Sequence, residues 1–427
     1  MRTVCGAVLA LYALVFAAAC ALAHSAPGAL LLLDARPDRI TADIRIPLSE
    51  LELAFGQPLS ARPGQAVAVN EAALRQYLLE HVRVIAGDGR AWTVRLGSMR
   101  ADIGQQPVDL IVESEWIPPP GASPRRFTLR YDAVAHEVPN HIAVVSLRRD
   151  WESGMLAASG ESAEPGKSAR VLGTIRFNHH AIPVDLGPGS AWAGLRASVV
   201  SGMAHIAEGT DHLLFLLVLL LPAPLVADTA RRRWGGYGGA RHGLVRLLQI
   251  VTAFTIGHSL TLALGALGWA RPPSAPVEIV IALSILVSAL HAWRPLFAGR
   301  EMLIAAGFGL VHGMAFSGVV ADMGLSGGWL AQAVLGFNLG IELMQIAIVA
   351  VVFPLLLLMA RTPRYAAVRV PLAAFAAVAA AAWLLERMSG TENALARWLE
   401  ALPEHPLAVF AALLATTAVV TRLGRSS

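Results

Sequence analysis

Apolar and polar positions follow two different rules along this chain, and the change falls near residue 190. Before it, short runs that alternate in polarity or are rich in β-branched residues recur between turn signals. They read "ALLLLDA", "ITADIRIPL", "AWTVRLG", "VDLIVESEW", "RFTLRYDAVA", "HIAVVSLRR" and "RVLGTIRF". The separators are "RPDR", "GDG", "PPPGASP" and "EVPN". Alternation with a period of two puts every second side chain on one face, so these runs predict strands. One stretch changes period. In "EAALRQYLLEHVRV" Ala73, Leu74, Tyr77, Leu78 and Val82 share one helical face, and Asn70 stands where it can cap the helix. Residues 24–190 therefore predict a β-sandwich-like domain with one helix.

Beyond residue 195 the apolar runs lengthen to the ~20 residues that a bilayer core requires. Seven spans are predicted: Val199–Val226, Leu244–Trp269, Val277–Trp293, Glu301–Ala321, Leu330–Met359, Val370–Leu385 and Leu407–Leu423. The fold class expected is a membrane all-α bundle of seven transmembrane helices, residues 195–427, preceded by an exported β-sandwich-like domain.

Composition agrees. The chain has 427 residues, 55% hydrophobic and 15% charged, where a soluble protein carries roughly a quarter charged. Residues 1–23 read as a secretory signal: Arg2, then the apolar run "VLALYALVFAAACALA", ending in small residues before His24. Cys5 and Cys20, the two cysteines of the chain, both lie in it. The processed protein then has no disulfide and no thiolate, so any metal must be held by nitrogen, oxygen or thioether groups.

The formal net charge of +4 has a topological explanation rather than a nucleic-acid one. With the first domain outside, the cytoplasmic loops hold Arg231, Arg232, Arg233, Arg241, Arg294, Arg300, Arg361, Arg364 and Arg369, and the tail holds Arg422 and Arg425. The opposite loops hold Arg271, Arg387 and Arg397, the last two beside acidic residues. This is a positive-inside distribution. It predicts a bacterial inner membrane protein with a periplasmic first domain and a cytoplasmic C-terminus.

Ionisable groups inside a membrane are costly and are functional candidates by default. Here they are His205, Glu208, Asp211 and His212 in the first span, His258 in the second, His312 in the fourth and Glu342 in the fifth, the last with the polar amides Asn338 and Gln345. At about 100° per residue His205, Glu208 and His212 share a face of the first span, with Asp211 set round from it, and Asn338, Glu342 and Gln345 share a face of the fifth. Counting ~1.5 Å per residue from the span ends brings His212, His258, His312 and Glu342 to one level near the midplane. Imidazoles with carboxylates suit Ni²⁺, Co²⁺ or Zn²⁺. Neighbouring glycines, Gly209, Gly257, Gly309, Gly313, Gly336 and Gly340, would let the helices close around such an ion. His291 reads as an interhelical hydrogen bond, and Met203, Met314 and Met344 as packing.

The first domain offers weaker candidates. Signal cleavage would leave His24 with a free α-amine beside its imidazole. If "RFTLRYDAVA" and "HIAVVSLRR" form a hairpin, His136 and His141 face each other across its neck and could clip a metal. His179 and His180 are adjacent and on a strand would point to opposite faces.

At the membrane residues the sequence resembles the HupE/UreJ family, membrane proteins associated with hydrogenase and urease maturation. The resemblance is carried by His205, Gly209, Asp211, His212 and Phe215, and by the blocks "FTIGHSLTL", "GLVHGMAFSG" and "FNLGIELMQ". It spans about Gly202–Phe353. It departs at Ile206, where the family usually has proline, and in the large exported domain, which short members lack. The resemblance implies a nickel or cobalt permease in which His205, Asp211 and His212 handle the metal. Metallochaperones or maturation proteins are its expected partners, with membrane lipid around it. Two other readings stay open: an intramembrane zinc-dependent hydrolase of alkaline-ceramidase type, with Ser259 and Asp211 near the metal, and a metal-sensing membrane scaffold.

Overall fold

A computed structural model describes residues 28–156, 169–269, 272–322, 325–391, 393–400 and 406–425. The expected signal and His24 lie outside these. The chain forms two compact units, one of Met1–Asp150 with Gly160–Gly189, the other of Trp151–Ser159 with Ser190–Ser427.

The first unit is built on two sheets. Strands β1 (Ala29–Ala35), β2 (Ile40–Pro47), β4 (Thr93–Asp102), β5 (Asp109–Ile117), β7 (Ile142–Asp150) and β8 (Arg170–Arg176) make a six-stranded sheet in the order β4-β5-β2-β1-β7-β8. Within it β1 and β7 run parallel, and the other pairs run antiparallel. Strands β3 (Val82–Ala86), β6 (Arg126–Tyr131) and β9 (Ala181–Asp185) make the second sheet, in the order β3-β6-β9. Along β2 the buried residues alternate as Ile40, Ala42, Ile44 and Ile46, the period expected of a strand with one face in a core. The sheets' inner faces meet where Trp116 of β5 stands edge-on to Phe127 of β6, ring centroids 6.3 Å apart. At the end of the core, Arg125 donates to both carboxylate oxygens of Asp150 at 2.9 and 2.7 Å, with both side chains almost wholly buried.

Two helices accompany the sheets, α1 (Leu48–Phe55) and α2 (Pro63–His81). The sequence reading placed the start of α2 at Asn70. The helix begins about two turns earlier, with Pro63 in its first turn, and Asn70 sits inside it, donating its side-chain amide to Ala66 O. Proline fits the first helical position because its missing N–H has no partner there anyway. Val82, expected on the helix, instead opens β3.

The second unit is helical. Its members are α3 (Ala191–Glu208), α4 (Thr210–Leu220), α5 (Ala240–Ala266), α6 (Ser274–Trp293), α7 (Glu301–Asp322), α8 (Gly327–Ala360), α9 (Ala366–Ser389), α10 (Ala394–Glu400) and α11 (Pro406–Arg425). A short hairpin, β10 (Leu225–Asp228) with β11 (Arg233–Tyr237), fills the loop between α4 and α5. Where seven spans were expected, four helices among the described residues are long and apolar enough to cross a membrane, or five if α3 and α4 count together. Shorter apolar stretches, Glu301–Ala315 and Phe410–Arg422, stand at two further expected spans. Outward faces carry Leu248, Ile256, Leu335, Leu339, Val351 and Val378 in exposed positions, a quantity of apolar surface that water does not tolerate and lipid does.

The first expected span is corrected. Val199–Val226 is not one helix: the chain bends by 71° at Gly209, between α3 and α4, and α4 ends at Leu220 before the hairpin. Trp151 and its neighbours belong with these helices rather than with the sheets. The Trp151 ring lies over Gly194, its Nε1 donates to Ser198 Oγ at 3.1 Å, and Trp329 stands edge-on at 5.2 Å.

Candidate functional site

The bend at Gly209 creates the site. In a straight helix His205 and His212 would be separated by ~10 Å along the axis. Here Gly209 takes φ −74° and ψ 100°, outside the helical region, and the two imidazoles stand 4.5 Å apart, centroid to centroid. His205 occupies the last turn of α3 and His212 the first turn of α4. A side chain at position 209 would meet His212 Nδ1 at 2.7 Å and His205 O at 2.8 Å, so the close approach requires glycine. Glu208, the last residue of α3 before the bend, is exposed and stands apart from the two rings.

Two further imidazoles come from α5 and α7, which cross backbone to backbone. A Cβ on Gly257 would lie 2.3 Å from Ala306 O, on Gly309 2.1 Å from Phe254 O, and on Gly313 2.2 Å from His258 O. Only glycine permits such contacts, and they fix His258 and His312 side by side. His312 packs against His212 with ring centroids 5.4 Å apart. The pairing of α3 with α8 follows the same device: a Cβ on Gly202 would lie 2.1 Å from Phe337 O, and on Gly340 2.0 Å from Val199 O. On α8, Asn338 stands beside His258 of α5.

The hydrogen bonds decide which nitrogen of each ring can bind a cation. Asp211 Oδ1 accepts from the backbone N of His212 and from its Nδ1, both at 2.9 Å. A carboxylate can only accept, so Nδ1 carries a proton and Nε2 is the ring nitrogen left to meet a cation. Asp211 thus orients His212, as carboxylates orient metal-binding histidines. The Ser284 hydroxyl donates to Ile281 O at 2.7 Å, which uses its one proton. The 3.0 Å contact between Ser284 Oγ and His312 Nε2 must then be donated by the histidine. His312 Nδ1 keeps its lone pair, is buried, and has no partner among the described residues. His258 is 1% exposed; the Asn338 side chain is the polar group beside it, though neither ring nitrogen completes a hydrogen bond among the described residues. Asn338 donates to Val334 O at 3.0 Å, and its Oδ1 is likewise buried without a partner. Unpaired buried polar atoms are costly, and here several gather in one place.

Six expected residues are therefore brought together: His205, Asp211, His212, His258, His312 and Asn338. Glu342 is not among them. The buried stripe of α8 runs through Ala333, Phe337, Ile341 and Gln345, and Glu342 falls one position beyond it, exposed. Gln345 stays on the stripe, its Oε1 3.3 Å from the Thr255 hydroxyl, which shares its one proton with Val251 O at 3.0 Å. Ser284, which sets the His312 tautomer, was not foreseen; its only sequence signal was a hydroxyl inside an apolar run. Among the described residues no three His, Cys, Asp or Glu side chains stand in metal-ligand geometry.

Below the histidines lies an aromatic floor. Phe215 packs on Phe254 at 5.1 Å and on Phe308 at 6.0 Å, and both Phe215 and Phe254 touch the His312 ring, at 5.1 and 5.2 Å. A cavity of about 10 Å³ beside His212, bounded by Phe215, Val251, Phe254 and Gln345, has room for no more than about one water. A larger cavity, about 740 Å³, opens one turn along α5 and is lined by Arg241, His242, Arg246, Gln249 and Glu301. His291 is held near this end: its Nδ1 accepts from Leu296 N and Phe297 N at 3.1 and 3.3 Å, and its ring stacks on Phe297.

In the first unit the expected pairing of His136 with His141 is corrected. Strands β6 and β7 lie in different sheets and form no hairpin, so the chain between them crosses over and separates the two rings. His141 is fully buried with Nδ1 on the Glu50 carboxylate. His136 instead lies against His81.

Residues 185–387 match the family model described as HupE / UreJ protein. Together with the apolar helices, this marks the chain as a membrane protein. No curated protein and no solved structure matches the chain.

Proposed function

Residues 185–387 belong to the HupE/UreJ family, and from that premise we propose that the helical unit is a permease for a divalent metal ion, nickel or cobalt. The family suggests a metal-transport or accessory role. The permease reading rests on one observation above the others: His258, His312 and Asn338, each with a buried polar atom that completes no hydrogen bond among the described residues, gather near the oriented ring of His212. A set of neutral imidazole donors with few charges matches a borderline cation that exchanges imidazole for water. The Asp211 carboxylate offsets part of the cation's charge. The C-terminal end of α3, which carries partial negative charge, faces the same point. A helix broken at a polar site inside a membrane is the arrangement by which half-helix ends serve ions there.

In this reading seven helices span the bacterial inner membrane. The β-rich unit is periplasmic after removal of a signal at residues 1–23, and the arginine-rich loops and C-terminus are cytoplasmic. The ion reaches His205 first, passes to His212, His258, His312 and Asn338, and waits above the floor of Phe215, Phe254 and Phe308. Entry to the large cavity at Arg246 and Glu301 requires those rings to part. The permease is preferred to a zinc hydrolase because the space beside His212 suits a water or a bare ion, not an organic substrate.

The test is uptake of Ni²⁺, Co²⁺ and Zn²⁺ into proteoliposomes by wild type and by His212→Ala. Ni²⁺ or Co²⁺ uptake that falls at least about tenfold in the variant is expected, in keeping with the usual cost of disturbing a metal site. Equal uptake by both would remove the proposal.

A further inference from the structure

The β-rich unit carries a second constellation that the helical unit does not explain. His81 ends α2 and His136 lies in the loop after β6, yet their rings stack at 4.3 Å between centroids and 14° between planes. One residue holds both. His81 Nδ1 lies 2.7 Å from Asp132 Oδ1, and His136 Nδ1 lies 2.8 Å from Asp132 O. A carboxylate and a carbonyl oxygen can only accept, so both rings carry their proton on Nδ1. Both therefore present the Nε2 lone pair on the edge turned away from Asp132. Neither Nε2 has a protein partner among the described residues, and neither is sealed from solvent. Both residues are half-buried.

The loop is built at a cost. Val134 adopts φ +69° while fully buried, a conformation that β-branched residues almost never take. It is held by the Tyr77 hydroxyl, which accepts from Val134 N at 3.1 Å, and by Val134 O, which accepts from Val138 N at 2.9 Å. The Tyr77 ring backs the stack, 4.4 Å from His81 and 6.1 Å from His136. Backbone strain of this kind persists where surrounding contacts over-determine it, and it clusters at ligand clamps. Here its product is the placement of His136 over His81.

We propose that His81 and His136 form a metal-capture site on the β-rich unit, which takes a single borderline divalent cation on their two Nε2 atoms, with Asp132 as the positioning residue. The stack places the two donors side by side, and because an imidazole lone pair lies in its ring plane, the rings must swing out of the stack for both Nε2 atoms to share one ion. Two imidazoles with water completing the shell make a weak, exchangeable site rather than a closed structural one. The expected order is Cu²⁺ above Ni²⁺ and Zn²⁺, with Mg²⁺ not bound. This goes beyond the permease reading and stands without it.

The experiment uses the full chain in detergent micelles, with His205→Ala and His212→Ala removing the helical site, titrated with Cu²⁺, Ni²⁺ and Mg²⁺. One exchangeable equivalent of Cu²⁺ or Ni²⁺ is expected, with two imidazole nitrogens in the Cu²⁺ electron spin resonance spectrum. His81→Gln and His136→Gln should each weaken binding at least tenfold and reduce the spectrum to one nitrogen, while His179→Gln, at an exposed histidine, should change neither. Unchanged affinity in both variants would overturn the proposal. Should a variant fail to fold, histidine modification by diethyl pyrocarbonate in the unsubstituted chain decides. Protection of His81 and His136 together by Ni²⁺ supports the site, and equal labelling with and without Ni²⁺ overturns it. With the membrane histidines removed, failure here leaves the permease reading intact, and failure of flux leaves this one intact.

Discussion

Gly313→Ala tests whether the α5–α7 crossing is what makes the histidine cluster work. The added Cβ would sit 2.2 Å from His258 O and 2.3 Å from Thr261 Oγ1, where ordinary contact begins at 3.4 Å. Thr261 can turn away, but the carbonyl belongs to the backbone of α5 and cannot. Relief takes roughly 1 Å of helix separation at the level of His258 and His312, because repulsion rises steeply inside contact distance. Metal–ligand distances tolerate only about 0.2 Å. Overpacking of this size costs about 1–3 kcal/mol, which a membrane bundle can survive, so the variant should fold and lose transport. The control lies on the same helix: a Cβ on Gly307 meets nothing within 4 Å, and alanine favours the helix over glycine by up to about 1 kcal/mol. Ni²⁺ and Co²⁺ uptake into proteoliposomes should fall at least about tenfold in Gly313→Ala and stay at wild-type level in Gly307→Ala. Matching uptake in the two variants, at equal protein incorporation, would refute the reasoning.

Three further outcomes are expected. Asp211→Asn keeps an acceptor for His212 Nδ1 but removes the charge that supports the ring. Metal affinity by equilibrium dialysis should drop by about 10- to 100-fold with the helical content in circular dichroism unchanged. Asp150→Asn leaves the Arg125 guanidinium buried without its counter-charge and should destabilise the β-rich unit by about 3–5 kcal/mol, read as faster hydrogen exchange in β7 of the intact chain. Glu52 accepts from Leu59 N and Ser60 N, both at 3.0 Å, and these bonds hold its carboxyl below the ordinary range. Its contribution is then present above the unfolded-state value and lost as pH falls through the lowered folded value. Glu52→Gln should speed exchange at Leu59 and Ser60 at neutral pH, and the difference from wild type should shrink steadily on acidification.

Local periodicity made much of this molecule legible. The alternation in "ITADIRIPL" gave β2 almost to the residue, and the apolar run after Gly327 gave α8. What periodicity could not carry was partnership. Which sheet a strand joins depends on pairing across the chain, so β6 and β7 looked like one hairpin and His136 was assigned to His141 instead of His81. The start of α2 was missed because Asn70 is a good cap and Pro63 precedes a stretch without a clear apolar face.

The site divides in the same way. The identities of His205, His212, His258, His312 and Asn338 stood out because polar groups in apolar runs are conspicuous. Their roles did not. A single glycine within an apolar run does not announce a 71° bend, so Glu208 was counted with its neighbours. Nor does sequence show that Asp211 turns to His212, or that Ser284 fixes the proton on His312. Those are properties of hydrogen-bond geometry, and they decide which nitrogens are available to an ion.

The glycine crossings also fix how the site can come apart. Helices α3 and α8 are locked to each other through Gly202 and Gly340, and α5 and α7 through Gly257, Gly309 and Gly313. Each pair is thus a stiff plate whose members cannot slide without a backbone collision. His205 and Asn338 ride on one plate, His258 and His312 on the other, and His212 sits on α4 just past the broken joint. On the proposed function, a cation held by both plates would act as a rivet between them. Rocking one plate against the other would withdraw donors in twos rather than singly, so release would be a concerted step set by plate movement and not a stepwise loosening of individual ligands.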